Sequence, residues 1–303
     1  MKKFLIPLLL LVAVYANAQM LNDSPFNSNV VNPKYKKGAG PKMLIDAGHY
    51  NFIVHLGLIK PLLDLSVSDG YRPVVDSMIF TTDYLSKYDV VIIMPALPFK
   101  FGTKKQVTTE STFTTEEINN LHNWVEQGGS LLVFSEHAPI DLAMTPLLNK
   151  FGIASSIGIA YDTVNCDTTV KGNSAGTLLN FTKQNGLLNT AHPIITGSNE
   201  SERVNNIQTY GGAALSGASF TNILQLSTTA GIKKWSGSGP VVAGNSQCLA
   251  GNVGKGKLVA MGDCNGFTAM YVDNSGKKFS AGMQVEKYDW KQFVLNTLHW
   301  LSN

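Results

Sequence analysis

The chain has 303 residues, 44% of them hydrophobic and only 15% charged, with a formal net charge of +3. Two of its 24 basic residues, Lys2 and Lys3, lie at the extreme N-terminus, so the rest of the chain sets 22 basic residues against 21 acidic ones. A charge that close to zero leaves no electrostatic footprint for nucleic acid, and neither an internal repeat nor a coiled-coil heptad is visible.

Lys2 and Lys3, an apolar run from Phe4 to Tyr15 and the Ala16-Asn17-Ala18 site form an export signal, residues 1–18, with Gln19 as the mature N-terminus. The run is too short to span a bilayer comfortably, no Cys follows it, and no later segment reads as transmembrane. The mature chain is therefore expected to be periplasmic or secreted, without stable membrane insertion. An oxidising compartment permits one disulfide among Cys166, Cys248 and Cys264. Cys248 and Cys264 flank a Gly-Asn-Val-Gly-Lys-Gly-Lys turn and are candidates for adjacent strands. Their spacing does not suit zinc.

Residues 19–41 form a polar lead-in without periodicity. Lys42 to Ala47 reads as a strand. Phe52 to Ser68 carries Phe52, Leu56, Ile59, Leu62, Leu63 and Leu65 at helical spacing, with Pro61 as a bend. Tyr71 to Ser77 is a second strand, Asp83 to Lys87 a helical turn, and Asp89 to Ala96 a third, wholly apolar strand. A loop with Lys100, Lys104 and Lys105 follows. Phe113-Thr-Thr-Glu-Glu-Ile118 then starts a helix, with Thr114 and Glu117 spaced as a capping box. Gly128-Gly129 ends it, Ser130 to Phe134 is a fourth strand, and Ile140 to Lys150 another helix.

This alternation, with strands apolar throughout, predicts a parallel sheet with helices on both faces. From about 158 to 246 the texture is rich in Gly, Thr, Asn and Ser, a β-rich insertion with short strands at Ile207 to Tyr210, Ile223 to Leu226 and Val241 to Ala243. Gln247 to Asn252 and Lys257 to Met261 form a hairpin. Tyr288 to Leu301 closes the chain as an amphipathic helix.

Ligands of open α/β sheets collect at the carboxyl ends of the strands. Three strand ends carry chemistry here. Asp46-Ala-Gly-His49-Tyr-Asn51 offers an imidazole beside an acid at a helix start, where His49 could act as base, metal ligand or donor. The plainer alternative has Asp46 capping the turn, Asn51 capping the helix and His49 packed between loops. Ser135-Glu136-His137 occupies an elbow-like turn after the fourth strand, without the glycines of a G-x-S-x-G motif. There the alternative is a bracing role for Glu136 and His137. Asp263, in Gly262-Asp-Cys-Asn-Gly266, is a third candidate, although Asp is also a routine turn former. His192 and His299 read as structural, and His55 and His122 lie on helices that need no site.

Gly48-His-Tyr-Asn-Phe52, Phe113 to Ile118, Trp124 to Leu132, Glu136-His137, Gly254 to Asp263 and Leu298 to Leu301 together resemble the class I glutamine-amidotransferase-like superfamily. The likeness is to an exported bacterial branch related to ThuA-like and gliding-motility-associated proteins, an intraflagellar-transport subunit and β-galactosidase middle domains. The resemblance covers roughly Lys42 to Leu301 and implies an α/β, flavodoxin-like sheet over 42–303. It does not imply glutaminase activity, because the elbow that carries Cys in the amidotransferases reads Phe134-Ser-Glu-His137.

Two functions fit. One is a hydrolase of a carbohydrate or another polar metabolite, with His49, His137, Glu136 and Asp46 catalytic, and Asn51, Ser135 and Asp263 binding ligand. The other is a non-catalytic domain of the cell envelope that binds a small molecule, a glycan or a partner. Neither reading fixes a cofactor or a metal.

Overall fold

The computed structural model describes residues 19–22, 26–100, 110–137, 140–170, 175–233, 244–274 and 277–303. The export signal, most of the loop after Lys100 and the Val241 to Ala243 strand lie outside the described residues.

A nine-stranded sheet organises the chain. Its strands are β1 (Lys42–Asp46), β2 (Arg72–Asp76), β3 (Val90–Ile93), β4 (Ser130–Phe134), β5 (Ala154–Ser155), β6 (Leu215–Ser216), β7 (Thr221–Gln225), β8 (Ser246–Val253) and β9 (Gly256–Met261). The order is β2-β1-β3-β4-β9-β8-β6-β5, with β7 also paired to β8. The first five strands are parallel, and the pairings beyond β9 are antiparallel. Those five give the flavodoxin-like order, whose crossovers reverse direction between β1 and β3, the place where such sheets open a crevice.

The apolar strands are explained by burial on both faces. Met43, Ile45, Val90, Ile92, Leu132, Phe134, Val259 and Met261 point into one core. Leu44, Val91, Ile93, Leu131, Val133, Leu258 and Ala260 alternate with them and point into the other. Helices α1 (Phe52–His55), α2 (Lys60–Ser68) and α6 (Trp290–Leu301) cover the first, through Ile53, Leu62, Leu65, Trp290, Phe293 and Leu298. Helices α3 (Thr82–Leu85), α4 (Thr115–Glu126) and α5 (Ile140–Lys150) cover the second, through Leu85, Ile118, Leu121, Val125, Met144 and Leu147.

Three expectations need correction. The Phe52 to Ser68 segment is two helices, not one bent helix, because Pro61 sits in the first turn of α2. There its missing N–H costs nothing, whereas in mid-helix it would break the ladder. The third strand stops at Ile93 instead of Ala96, since Pro95 has no N–H to give. Cys264 lies beyond β9 in a 3₁₀ turn and is not a strand neighbour of Cys248, and all three cysteines are free.

The β-rich stretch does not stand apart. β6 and β7 widen the main sheet, while Leu178–Thr182 pairs with Asn206–Tyr210 and Ile159–Tyr161 with Gly231–Lys233 as small antiparallel ribbons.

The capping box of α4 is formed. Thr114 Oγ1 accepts from Glu117 N at 3.2 Å, and Glu117 Oε2 accepts from Thr114 N at 3.1 Å. Thr114→Ala is expected to lower the unfolding free energy by about 1–2 kcal/mol, read as a lower urea midpoint at unchanged slope.

Candidate functional site

Asp46 ends β1, and the sharp Ala47-Gly48 turn folds His49 back over it. Asp46 Oδ1 accepts from Gly48 N at 2.9 Å, and both its carboxylate oxygens lie 3.1 Å from His49 Nδ1. On the other side of the ring, His49 Nε2 lies 3.0 Å from Glu117 Oε1. Glu117 is itself fully engaged. Oε1 accepts from Phe80 N at 3.2 Å and Oε2 from Thr114 Oγ1 at 2.8 Å. The rings of Phe113 and Phe80 flank the imidazole, with centroids 4.4 and 5.0 Å away.

All three members of this Asp46–His49–Glu117 triad are buried. Burial alone would pull the His49 pKa down, but the hydrogen bond and charge of Asp46, joined by the charge of Glu117, hold it above the usual 6.5. Burial pushes Glu117 up, yet the N–H and hydroxyl of Thr114, with the His49 charge, hold it below its ordinary value. Below that raised pKa the triad is an imidazolium clamped between two acidic side chains. The contacts of the plainer alternative are present: Asp46 caps the turn, and Asn51 caps α1 by accepting from Val54 N at 3.3 Å. Asn51 also donates through Nδ2 to Met94 O at 3.0 Å, which ties the turn to the end of β3.

The second cluster sits at the ends of β4 and β9. Ser135 is buried, with its hydroxyl 2.7 Å from that of Ser155. Glu136 has φ +66°, the one positive φ outside glycine among the described residues. A bulky side chain in that region is strained, and such strain gathers at functional turns. Its carboxylate turns inward, accepting from Cys264 N at 2.9 Å and His137 N at 3.2 Å, with His137 Nε2 at 3.7 Å. His137 keeps 37% of its side chain exposed.

Asp263 accepts from Asn265 N at 2.8 Å, from Asn265 Nδ2 at 2.6 Å and from Tyr210 N. Burial and then the Glu136 charge push it up to about 7. The turn closes only because Gly212 has φ +69° and no Cβ, which would lie 2.3 Å from Gly262 O.

Donor atoms of Glu136, Asp263 and Cys264 lie within 4.8 Å of one another, close enough to share a cation. Their oxygens already accept backbone N–H groups, however, and burial with the two nearby acids keeps the Cys264 thiol protonated. The chemistry that fits is two buried acids side by side, with burial and the Glu136 charge keeping the proton on Asp263. Asp141 adds a third, pushed up to about 6 by burial.

The structure does not join the two clusters. β3 separates β1 from β4, so their carboxyl ends stand about 10 Å apart at ordinary strand spacing. Sequence reading missed Glu117 as a partner of His49, having used it fully as a helix cap, and missed Phe80 and Asp141. No local signal marks them. His192 accepts from Ile194 N at 3.2 Å, and His299 meets Asp69 Oδ2 at 2.6 Å.

No protein-family model matches the sequence, and no curated protein matches it. Solved structures do match in fold. The mmIFT52 N-terminal domain superposes with a TM-score of 0.59 at 16% identity, over 86% of this chain and 97% of that one. A ThuA-like protein from Bacteroides uniformis gives 0.47 at 13% identity over 92% and 95%. Another from Parabacteroides merdae gives 0.44 at 14% over 87% and 90%. At these identities the likeness is one of fold, and fold alone does not carry activity. No helix among the described residues is long and apolar enough to cross a membrane.

Proposed function

We propose that the chain is exported and serves as a non-catalytic ligand- or partner-binding domain of the cell envelope, within the exported amidotransferase-like branch its motifs resemble. The leader at residues 1–18 supports export. One observation carries the non-catalytic reading: each ring nitrogen of His49 is taken by a carboxylate, Nδ1 by Asp46 and Nε2 by Glu117. A general base needs a free nitrogen within reach of the substrate proton. The elbow likewise presents Glu136, turned inward onto Cys264 N, where a nucleophile would stand.

A hydrolase is the second reading, favoured by the strained backbone of Glu136 and its nearness to the half-exposed His137. One experiment separates the two. Protein purified without its leader, alongside Glu136→Gln and His137→Ala, is screened against glycoside, ester and amide substrates. No turnover above a mock purification is expected. Turnover in the wild type that either variant loses would establish the hydrolase instead. N-terminal sequencing of the periplasmic and medium fractions tests export, with Gln19 as the expected first residue. An intact Met1 in the cytoplasm would overturn it.

A further inference from the structure

At the sheet edge opposite β2, an open cleft of about 540 Å³ lies between the chain after α5, the β6–β7 turn and the start of β8. No charged side chain of the described residues lines it. Three polar ones do, Ser216, Asn222 and Asn245, and none of their side chains hydrogen-bonds to any described residue. The buried Asn222 Oδ1 has no partner at all among those residues. Elsewhere the Asn and Ser side chains of this chain are heavily committed, as at Asn185, Asn199 and Ser227. Asn222 also stands at a bulge, where the register against β8 slips before Leu224, and bulges commonly re-aim a side chain.

The β6–β7 turn also supplies an aromatic side chain. Phe220 lines the cleft and packs closely against two glycines, since a Cβ at Gly217 or Gly251 would come within 2.9 and 2.8 Å of its ring. Close packing against the two glycines fixes the ring beside three uncommitted hydrogen-bonding groups. An ion gains nothing in an uncharged cleft, and an aliphatic chain would strand the two carboxamides. A neutral ring with one C–H face and several hydroxyls satisfies both.

We propose that this cleft binds a single neutral hexopyranose, its C–H face on Phe220 and its hydroxyls on Ser216, Asn222 and Asn245. The site is separate from the His49 and Glu136 clusters, and its test does not depend on export or on the absence of catalysis. The purified chain is titrated with D-glucose, D-galactose, D-mannose and N-acetyl-D-glucosamine while its backbone amide NMR signals are followed. Saturable shifts centred on Ser216, Phe220, Asn222 and Asn245 are expected with at least one sugar, at about millimolar Kd. Asn245 and Ala218 are exposed, so changing them spares the fold. Asn245→Ala is expected to weaken binding about tenfold, the loss of one hydrogen bond to the ligand, and Ala218→Trp to abolish it by filling the cleft. No saturable shift with any of the four sugars overturns the proposal, as does binding that Ala218→Trp leaves unchanged.

Discussion

His49→Ala should lower the unfolding free energy by about 3–5 kcal/mol, the cost of removing one partner from a buried ion pair. Asp46 is fully buried and Glu117 nearly so, and the imidazole bridges them. Without it two carboxylates face each other across an apolar gap between Phe80 and Phe113. Urea unfolding of wild type and variant, at fixed pH and with matching slopes, measures the loss. A loss below about 1 kcal/mol would place the triad among surface pairs and undo the clamp described above.

Stability should also fall as pH rises from about 4 to about 8. The folded state holds Asp263 at about 7, against an ordinary value of 3.8. Over that window the folded chain keeps a proton that the unfolded chain releases, so the unfolding free energy drops with pH. Asp141, held at about 6, acts in the same direction. So does His49: its stabilisation is complete below the unfolded value of 6.5 and is lost as pH climbs through its raised folded value.

Glu117 and Asp162 work the other way. Their folded values are depressed, that of Asp162 to about 2, so their stabilisation is lost as pH falls through the acid range. Maximum stability is therefore expected in mildly acidic solution, from urea midpoints measured between about pH 3 and about pH 8. Glu136→Gln, which removes the charge that helps raise Asp263, should flatten the fall above pH 4. A midpoint that rises steadily to neutrality would show that Asp263 is not held above its ordinary value.

Much of the fold could be read from the chain because its signals are local. The strands at Lys42, Ser130 and Lys257 are continuous apolar runs, which only burial on two faces explains. The Thr114 to Glu117 spacing declares a helix start without any tertiary contact. Pro61 was legible as a breaker, but not whether it bends one helix or begins a second, because that depends on where Leu58 and Ile59 find room in the core.

The site was half legible for the same reason. Asp46, His49 and Asn51 share one turn, and Glu136 and His137 another, so their types and strand-end positions show in the sequence. The partner of His49 did not show. Glu117 lies 68 residues away and its local duty as a cap accounts for it completely.

The sequence by itself determined the alternation of strands and helices, the double-sided sheet and the two polar turns at its carboxyl edge, all set by short-range pattern. Only the tertiary structure decided what those turns do. It closed both nitrogens of His49 with acids from separate elements and turned Glu136 inward. It also brought Asp263 beside Glu136 across adjacent strands, since the charge state of a buried group depends on what long-range packing places next to it.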